Sequence, residues 1–386
     1  MTCCLTTMQP QISFIKPCVA LRLESKQFIW ALAAMKYEAP WWLPGGNVQT
    51  IWAALRAERF NGLPPVFRRE RWTAPDNDFV DVDFLVDDTQ AFSDGPPLEK
   101  LGKSAAEGSN VSREVKSCGA QLSPLLVIFH GLEGSSGSHY AEALADVARA
   151  RGWACAVPHF RGCSGELNHG PRAYHSGDFE EIDWILRRLK ADHNGPVLAV
   201  GISLGGNALM RWAGEMGGSA AAAVASVASV CSPLDLTASG WAIGRGFNRQ
   251  VYTRMFLRSM VPKALRKLDQ HPGLFDRSAL LAARDLYEFD NVVTAPLHGF
   301  KNTDDYWKRA SAKPHMKQIS VPALALNAIN DPFIPAWSLP APSDVSSSVT
   351  LWQPAQGGHV GFPAGPFPGN VRAMPEAVTA FLAAHL

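Results

Sequence analysis

The sequence predicts an α/β fold: a mostly parallel β-sheet with antiparallel strands at its N-terminal edge and a helical cap inserted late in the chain. Short apolar runs alternate with stretches of helix length after residue 123, as in parallel strands joined by helices. Polar and apolar residues alternate over residues 80–86, which indicates a half-buried strand at the antiparallel edge. Residues 233–315 lack strand signals and have a helical composition. We expect them to cap the carboxyl ends of the strands.

The elements follow in order along the chain. Residues 67–73 are the plausible partner of the strand at 80–86. Later strands are predicted at 125–129, 153–157, 197–202, 220–231, 323–326 and 349–352. Helices are predicted at 140–150, 179–191 and 207–215. Ser138 and Asp178 supply the first two helices with N-caps, and Gly152 can end the first of them.

The chain is predicted to form one domain, residues 37–386, behind an extension. Residues 1–36 show no consistent period and are expected to be poorly ordered. Residues 88–123 are rich in Gly, Ser, Pro, Lys and Glu, which favours a flexible surface insertion. Met35 leads directly into the sequence that looks ordered, so we regard it as a candidate for the true start.

The composition favours a globular protein that binds a small molecule. Of 386 residues, 47% are hydrophobic and 18% are charged, enough for a sizeable core. The 36 Lys and Arg against 35 Asp and Glu give a net charge of +1, so no overall field attracts nucleic acid or an anionic membrane. No apolar run reaches the ~18 to 20 residues of a membrane span, and the first 35 residues lack the features of a signal peptide. We expect a cytoplasmic protein with no transmembrane segment.

Neither a metal nor a cofactor is predicted. The seven cysteines are scattered and contain no C-x-x-C pair, which argues against a disulfide framework and against a zinc site. The sequence also lacks the H-E-x-x-H, P-loop and dinucleotide-binding glycine motifs. Cys155 and Cys231 lie in apolar runs, where a thiol packs as a small hydrophobe.

Ser203 is the candidate nucleophile. It lies in Gly201-Ile202-Ser203-Leu204-Gly205, a match to G-x-S-x-G that follows a predicted strand and precedes a predicted helix. Such a turn exposes the serine hydroxyl in a strained backbone conformation. The alternative is an ordinary glycine-rich turn between a strand and a helix.

Asp331 and His359 are the candidate acid and base. Asp331 follows the strand at 323–326, and His359 follows the strand at 349–352. A serine nucleophile needs a base within hydrogen-bond reach and an acid that orients the base. The order Ser, Asp, His is that of α/β-hydrolases. Taken alone, a histidine in a glycine-rich loop such as this one is more often a surface residue.

The backbone N–H groups of Leu132 and Leu204 are predicted to form the oxyanion hole. Leu204 follows the nucleophile, and Leu132 lies in the glycine-containing loop after the first parallel strand. Gly131 is the close alternative to Leu132. We expect His130 to pack beneath this loop in a structural role.

Phe247 and Phe256 are candidate substrate-binding residues. They lie in a segment of the predicted cap, residues 241–256, that mixes aromatic side chains with Arg245, Arg249 and Arg254. Such a segment can direct apolar side chains into an acyl pocket. The alternative is that these aromatic residues only pack the cap onto the sheet.

The motifs of this sequence resemble the YheT-type branch of the α/β-hydrolases, which is related to ABHD phospholipases and to yeast medium-chain ester synthases. The resemblance covers residues 37–386 and rests on Pro40-Trp-Trp-Leu-Pro-Gly-Gly-Asn-Val-Gln-Thr50, His130-Gly-Leu-Glu-Gly-Ser135, His159-Phe-Arg-Gly-Cys-Ser-Gly165, Tyr174-His-Ser-Gly177, Ser203-Leu-Gly-Gly-Asn207, Thr294-Ala-Pro-Leu-His-Gly-Phe300, Asn330-Asp-Pro-Phe333 and Gly357-Gly-His-Val-Gly-Phe362. It implies a serine carboxylesterase or acylglycerol lipase with Ser203, Asp331 and His359 as its triad. The sequence departs from the usual pattern in residues 1–35 and 88–123.

Three functions fit this sequence. The first is a serine carboxylesterase that hydrolyses short- to medium-chain acyl esters, so that its partner is a small-molecule ester with an apolar acyl chain. The second is an acyltransferase in which an alcohol replaces water as the acceptor, because both reactions share the acyl-enzyme. The third is a catalytically idle binding protein that uses the pocket under the cap. Haloalkane dehalogenase and epoxide hydrolase chemistry needs a carboxylate where this chain has Ser203.

Overall fold

The computed structural model describes residues 36–86 and 122–386 of the chain. The predicted N-terminal extension and the predicted insertion at 88–123 lie outside the described residues, apart from their last one or two positions.

The described residues form one sheet of eight strands in the order β1-β2-β4-β3-β5-β6-β7-β8. The strands are β1 Phe67–Thr73, β2 Phe79–Leu85, β3 Leu125–Phe129, β4 Ala154–Pro158, β5 Val197–Ile202, β6 Ser226–Val230, β7 Ala323–Leu326 and β8 Val349–Trp352. β2 pairs antiparallel with β1 and with β4, and the pairs from β4 onward are parallel. The predicted α/β-hydrolase fold, with a mostly parallel sheet and antiparallel N-terminal strands, is confirmed.

Helices cover both faces of this sheet and the carboxyl ends of its strands. The helices are α1 Gly46–Leu55, α2 His139–Ala150, α3 Phe179–Asp192, α4 Leu204–Met216, α5 Leu236–Ile243, α6 Arg254–Gln270, α7 Arg277–Ala282, α8 Leu286–Phe289, α9 Thr303–Ala310 and α10 Ala373–Ala383. A short helix, Gly246–Asn248, and a π-helical turn, Arg249–Thr253, lead into α6. A second π-helical turn, Asp290–Thr294, and the short helix Ala295–Leu297 follow α8. The 3₁₀-helices are Gly217–Ala222, Lys313–Gln318, Ala336–Ser338 and Pro342–Asp344.

Two apolar layers enclose the central strands. Val127 and Phe129 of β3 pack in one cluster with Leu186 of α3 and Trp212 of α4. The alternate residues of β3, with Leu144 of α2, pack in a second cluster on the opposite face. Because helices cover both faces, the central strands are continuous apolar runs, as is typical of parallel sheets.

Strand β2 differs from the half-buried strand that its alternation predicts. Asp81 and Asp83, which the pattern would place in solvent, are both buried. Arg71 and Arg69 of β1 each donate two hydrogen bonds to one of these carboxylates, at 2.7–2.9 Å. The arginines pair with the charges and allow them to be buried.

The regular secondary structure between β6 and β7 is helical, as the composition of this segment predicts. Helices α5 to α9 lie within residues 233–315, and no strand occurs in this stretch of the described chain. Across residues 36–86 and 122–386, no helix combines the length and apolar character needed to span a membrane.

Candidate active site

Ser203 lies in a tight turn between β5 and α4. Its backbone angles, φ 52° and ψ −117°, fall in a region that non-glycine residues rarely adopt. A Cβ at Gly201 would lie 2.5 Å from the carbonyl oxygen of Gly205, and a Cβ at Gly205 would lie 2.4 Å from that of His130. The glycines of the G-x-S-x-G pattern therefore have a steric basis, because strand, loop and helix backbones meet at this turn.

The structure brings Ser203, His359 and Asp331 into one hydrogen-bonded chain. His359 Nε2 lies 3.0 Å from Ser203 Oγ, and His359 Nδ1 lies 2.9 Å from Asp331 Oδ2. The Asp331 side chain has no exposed surface, and its other oxygen accepts the Phe333 N–H at 2.8 Å. Because a carboxylate only accepts, Nδ1 carries the proton and Nε2 is free to accept the serine hydroxyl hydrogen.

Leu132 and Leu204 are the residues whose N–H groups were predicted to form the oxyanion hole. Both residues line the cavity onto which Ser203 opens. Neither N–H has an acceptor within residues 36–86 and 122–386. The alternative donor, Gly131 N–H, donates instead to Tyr140 Oη at 2.9 Å. An unpaired buried N–H is rare, so the two leucine positions are favoured over Gly131 for binding an oxyanion.

His130 has the structural position that the sequence predicts. Its ring is fully buried, with Nδ1 2.8 Å from the Gly131 carbonyl oxygen and Nε2 accepting the Phe160 N–H at 3.0 Å. Burial lowers the pKa of His130 to about 3. The neutral ring connects the loop after β3 with the loop after β4.

Two side chains of α1, which the sequence analysis did not single out, hold the loop of His359. Thr50 Oγ1 accepts the His359 N–H at 2.8 Å, and Gln49 Oε1 accepts the Gly357 N–H at 2.9 Å. Gln49 is completely buried. Since a buried amide must be hydrogen-bonded, its position depends on this contact.

Asn330 connects the Asp331 loop with the His359 loop. Its Oδ1 accepts the Gly358 N–H at 3.0 Å, and its Nδ2 donates to Gln49 Oε1 at 3.0 Å. Gln49, Thr50 and Asn330 thus form one network behind the acid and the base. All three lie in motifs on which the resemblance rests, and that was the signal in the sequence that could have identified them.

Ser203 opens onto a cavity of about 570 Å³ between the sheet and the helical segment at 233–315. Its wall is largely apolar, with contributions from Ile51, Ile243, Tyr252, Met255, Phe256, Met260, Phe333 and Ile334. Of the two predicted substrate-binding residues, Phe256 lines this cavity. Phe247 lies outside the wall with 53% of its surface exposed and packs edge-on against Tyr252. From the turn before α6, Tyr252 contributes to the wall in the place that was predicted for Phe247.

A second, smaller cavity of about 100 Å³ shares Leu132 and Leu204 with the first in its wall. Asp290 lines both cavities and accepts hydrogen bonds from Thr294 Oγ1 at 2.6 Å and Trp307 Nε1 at 2.9 Å. Burial raises the pKa of Asp290 to about 6, although these bonds favour its charged form. Asp290 therefore connects Thr294 and Trp307 in the wall and does not contact His359.

Cys231 Sγ, one ring nitrogen of His359 and one carboxylate oxygen of Asp331 lie within 4.8 Å of one another. Burial raises the pKa of the Cys231 thiol well above its usual range, so the sulfur stays protonated and is a poor metal ligand. Asp331 and His359 are already hydrogen-bonded to each other. The cluster is better suited to a neutral thiol packed against an acid–base pair than to a metal ion.

Comparison with known proteins agrees with this fold. Residues 124–366 match the α/β-hydrolase fold family, so the chain belongs to that family, whose members here are of esterase and lipase type. Within it, the chain belongs to the YheT-type branch that its motifs resemble. It is 37% identical to the Escherichia coli (strain K12) protein "Putative esterase YheT", over 78% of this chain and 82% of that one.

Two further relatives are more distant. Phospholipase ABHD3 of Mus musculus is 27% identical over 69% of this chain and 64% of its own length. Monoacylglycerol lipase of Saccharomyces cerevisiae is 30% identical over 62% of this chain and 55% of its own length. The matched region therefore spans less than two thirds of each of these two proteins.

Proposed function

We propose that this protein is a serine carboxylesterase that hydrolyses short- to medium-chain acyl esters through an acyl-enzyme. The observation that carries the proposal is the continuous hydrogen-bonded chain from Ser203 Oγ through His359 to the buried Asp331 carboxylate. A serine hydroxyl is a weak nucleophile unless a base removes its proton, and this arrangement supplies the base and its orienting acid.

In the proposed reaction, Ser203 Oγ attacks the ester carbonyl carbon while His359 Nε2 takes the hydroxyl proton. Asp331 accepts the Nδ1–H bond throughout and stabilises the imidazolium that forms. The negative charge on the carbonyl oxygen falls between the N–H groups of Leu132 and Leu204. The imidazolium then protonates the leaving alcohol, and a water molecule activated by His359 hydrolyses the acyl-enzyme.

The cavity supports an apolar acyl chain as the recognised part of the substrate. Aromatic and aliphatic side chains dominate its wall, and burial of each methylene contributes about 0.8 kcal/mol. Acylglycerols fall within this class of ester. The names of the relatives, an esterase and a monoacylglycerol lipase, are consistent with ester substrates.

The experiment is a panel of p-nitrophenyl esters from acetate to dodecanoate, run in parallel with labelling by a fluorophosphonate. We expect ester hydrolysis by the wild type, covalent labelling at Ser203, and neither activity in Ser203→Ala. Hydrolysis that persists in Ser203→Ala, or a folded wild type that neither labels nor hydrolyses any ester, would contradict the proposal.

A further inference from the structure

The segment before and within α6 is strongly basic although the whole chain is almost neutral. Residues 236–268 contain seven Lys and Arg and no Asp or Glu. Arg249, Arg254 and Arg258 from this segment line one surface groove together with Arg284, which precedes α8. We call these four side chains the basic groove.

The basic groove carries uncompensated charge. None of its four guanidinium groups has an ion pair or hydrogen bond with another part of the described chain. A second surface groove shows the contrast, because its lysines share the wall with Asp235 and Asp344, and Lys313 lies 3.6 Å from the latter. Glu288 accepts the backbone N–H of Arg284 but pairs with no guanidinium group of the groove in the described chain. The four positive charges repel one another, and a bound anion relieves this repulsion.

Exposed apolar side chains adjoin the basic groove at the mouth of the active-site cavity. Val251 and Met255, in the same helical segment as three of the arginines, line the cavity but are 37% and 54% exposed. Leu55 of α1 also lines the cavity and is 70% exposed. We call these three residues the apolar rim.

We propose that the basic groove and the apolar rim together dock this protein onto the surface of an anionic phospholipid bilayer. Arginines beside exposed apolar residues are the chemistry that such an interface recognises: guanidinium groups bind lipid phosphates, and the apolar groups enter the acyl boundary. A water-soluble anion would satisfy the arginines and leave the rim exposed. An anionic bilayer binds the arginines through its phosphates and covers the apolar rim with its acyl chains.

Docking would place the mouth of the cavity against the lipid. The apolar rim is part of the cavity wall, so an ester dissolved in the bilayer would reach Ser203 without crossing water. This consequence rests on the proposed esterase function. The docking itself does not, and it is measured as binding rather than as turnover.

The test is sedimentation of the full chain with vesicles of phosphatidylcholine alone or with one quarter phosphatidylglycerol. We expect binding to the anionic vesicles at least about tenfold tighter than to the neutral ones, and weaker at high salt, because each basic side chain near such a surface contributes about fivefold. Arg254→Glu with Arg258→Glu should reduce binding to anionic vesicles by at least about tenfold. Turnover of p-nitrophenyl butyrate checks that each variant is folded.

The matched control is Lys308→Glu with Lys317→Glu, which makes the same change of charge in the second groove, where lysines and carboxylates share the wall. It should retain binding within about twofold. The proposal is overturned if the wild type fails to bind anionic vesicles, if it binds neutral vesicles equally well, or if the control variant loses as much binding as the groove variant.

Discussion

The nucleophile and the base of the candidate site are held in place by different means. Ser203 is positioned by its own backbone, since the glycines within three residues of it remove every Cβ that would block the turn. His359 is positioned by Thr50, which lies 309 residues away in sequence and accepts its N–H. A local steric rule is visible in a sequence motif, whereas a contact between distant segments is not.

The turn at Ser203 and the loop of His359 also differ in the substitutions that they tolerate. The turn between β5 and α4, residues 201–206, which we call the elbow, depends on the absence of side chains at its glycines. A Cβ at Gly206 would lie 1.9 Å from Ser232 Oγ and 2.6 Å from the Gly201 carbonyl oxygen. The loop of His359 depends on side chains being present. We therefore expect substitutions of the elbow glycines to affect folding, and substitutions of Gln49 or Thr50 in α1 to affect turnover.

The largest expected effect comes from substituting the nucleophile, the base or the acid, which act together in the reaction. Ser203→Ala and His359→Ala should each lower kcat on p-nitrophenyl butyrate by on the order of 10³-fold or more with the fold intact, because the three residues act as a unit. Asp331→Asn should also be severely impaired, since it favours the wrong histidine tautomer. The matched control is Asp304→Asn, which alters an exposed carboxylate of α9. If Asp304→Asn were impaired and Asp331→Asn were not, the acid would be wrongly assigned.

The second prediction addresses the elbow. Gly206→Ala should lower the free energy of unfolding by about 2–3 kcal/mol, because the new methyl group meets the backbone of Gly201 as well as Ser232. Urea denaturation followed by tryptophan fluorescence measures this. Gly218→Ala is the control, since its Cβ would have no neighbour within 4 Å, and it should stay within about 0.5 kcal/mol of the wild type. Equal stability of the two variants would show that the elbow can relax.

The third prediction addresses the loop of His359. Thr50→Val removes the acceptor of the His359 N–H and keeps the shape of the side chain. We expect kcat to fall by about 10- to 100-fold with KM within about twofold, because a small displacement of the base costs rate more than binding. The rate of fluorophosphonate labelling should fall in parallel.

Thr50→Ser keeps the hydroxyl and should recover most of this activity. That recovery separates a positioning role from simple packing, since serine packs less well than valine at this site. Loss of stability without loss of kcat in Thr50→Val would assign Thr50 to the core alone.

The sequence predicted the regular parts of this fold closely. The ranges predicted for β3, β5, β7 and β8 coincide with the strands of the structure, because strands buried on both faces are short apolar runs with clear ends. Helices α1 and α10 were not predicted. Helix α1 has a mixed pattern because it buries the polar side chains of Gln49 and Thr50 against distant loops. Helix α10 is apolar on most sides and lacks a polar stripe that would reveal its period.

Features of the site that depend on contacts between distant segments could not be predicted from the sequence. The positions of Ser203, Asp331 and His359 follow from strand ends and chain order, which a sequence displays. The burial of Asp81 depends on an arginine from the neighbouring strand. The different positions of Phe247 and Phe256 depend on a π-helical turn between them, whose extra residue changes the direction in which later side chains project.

The smallest expected effect tests that last difference. Phe256 lines the cavity and Phe247 does not. Phe256→Ala and Phe247→Ala make the same change in the same segment, so each serves as a control for the other. In the wild type, kcat/KM should rise from acetate to a maximum between butyrate and octanoate, by up to about fourfold for each methylene that finds apolar contact. Phe256→Ala should move the maximum toward longer chains, because the missing ring leaves space for about two further methylenes.

Phe247→Ala should leave the maximum where it is, because its exposed ring has no acyl chain to contact. The ester panel from acetate to dodecanoate measures both variants under the same conditions. A shift in Phe247→Ala equal to that in Phe256→Ala would mean that the segment before α6 moves inward when an ester binds. A maximum unchanged in both variants would assign the aromatic residues of this segment to packing, and the length preference would then have to arise from the sheet side of the cavity, where Phe333 lies against the His359 ring at 4.1 Å between centroids.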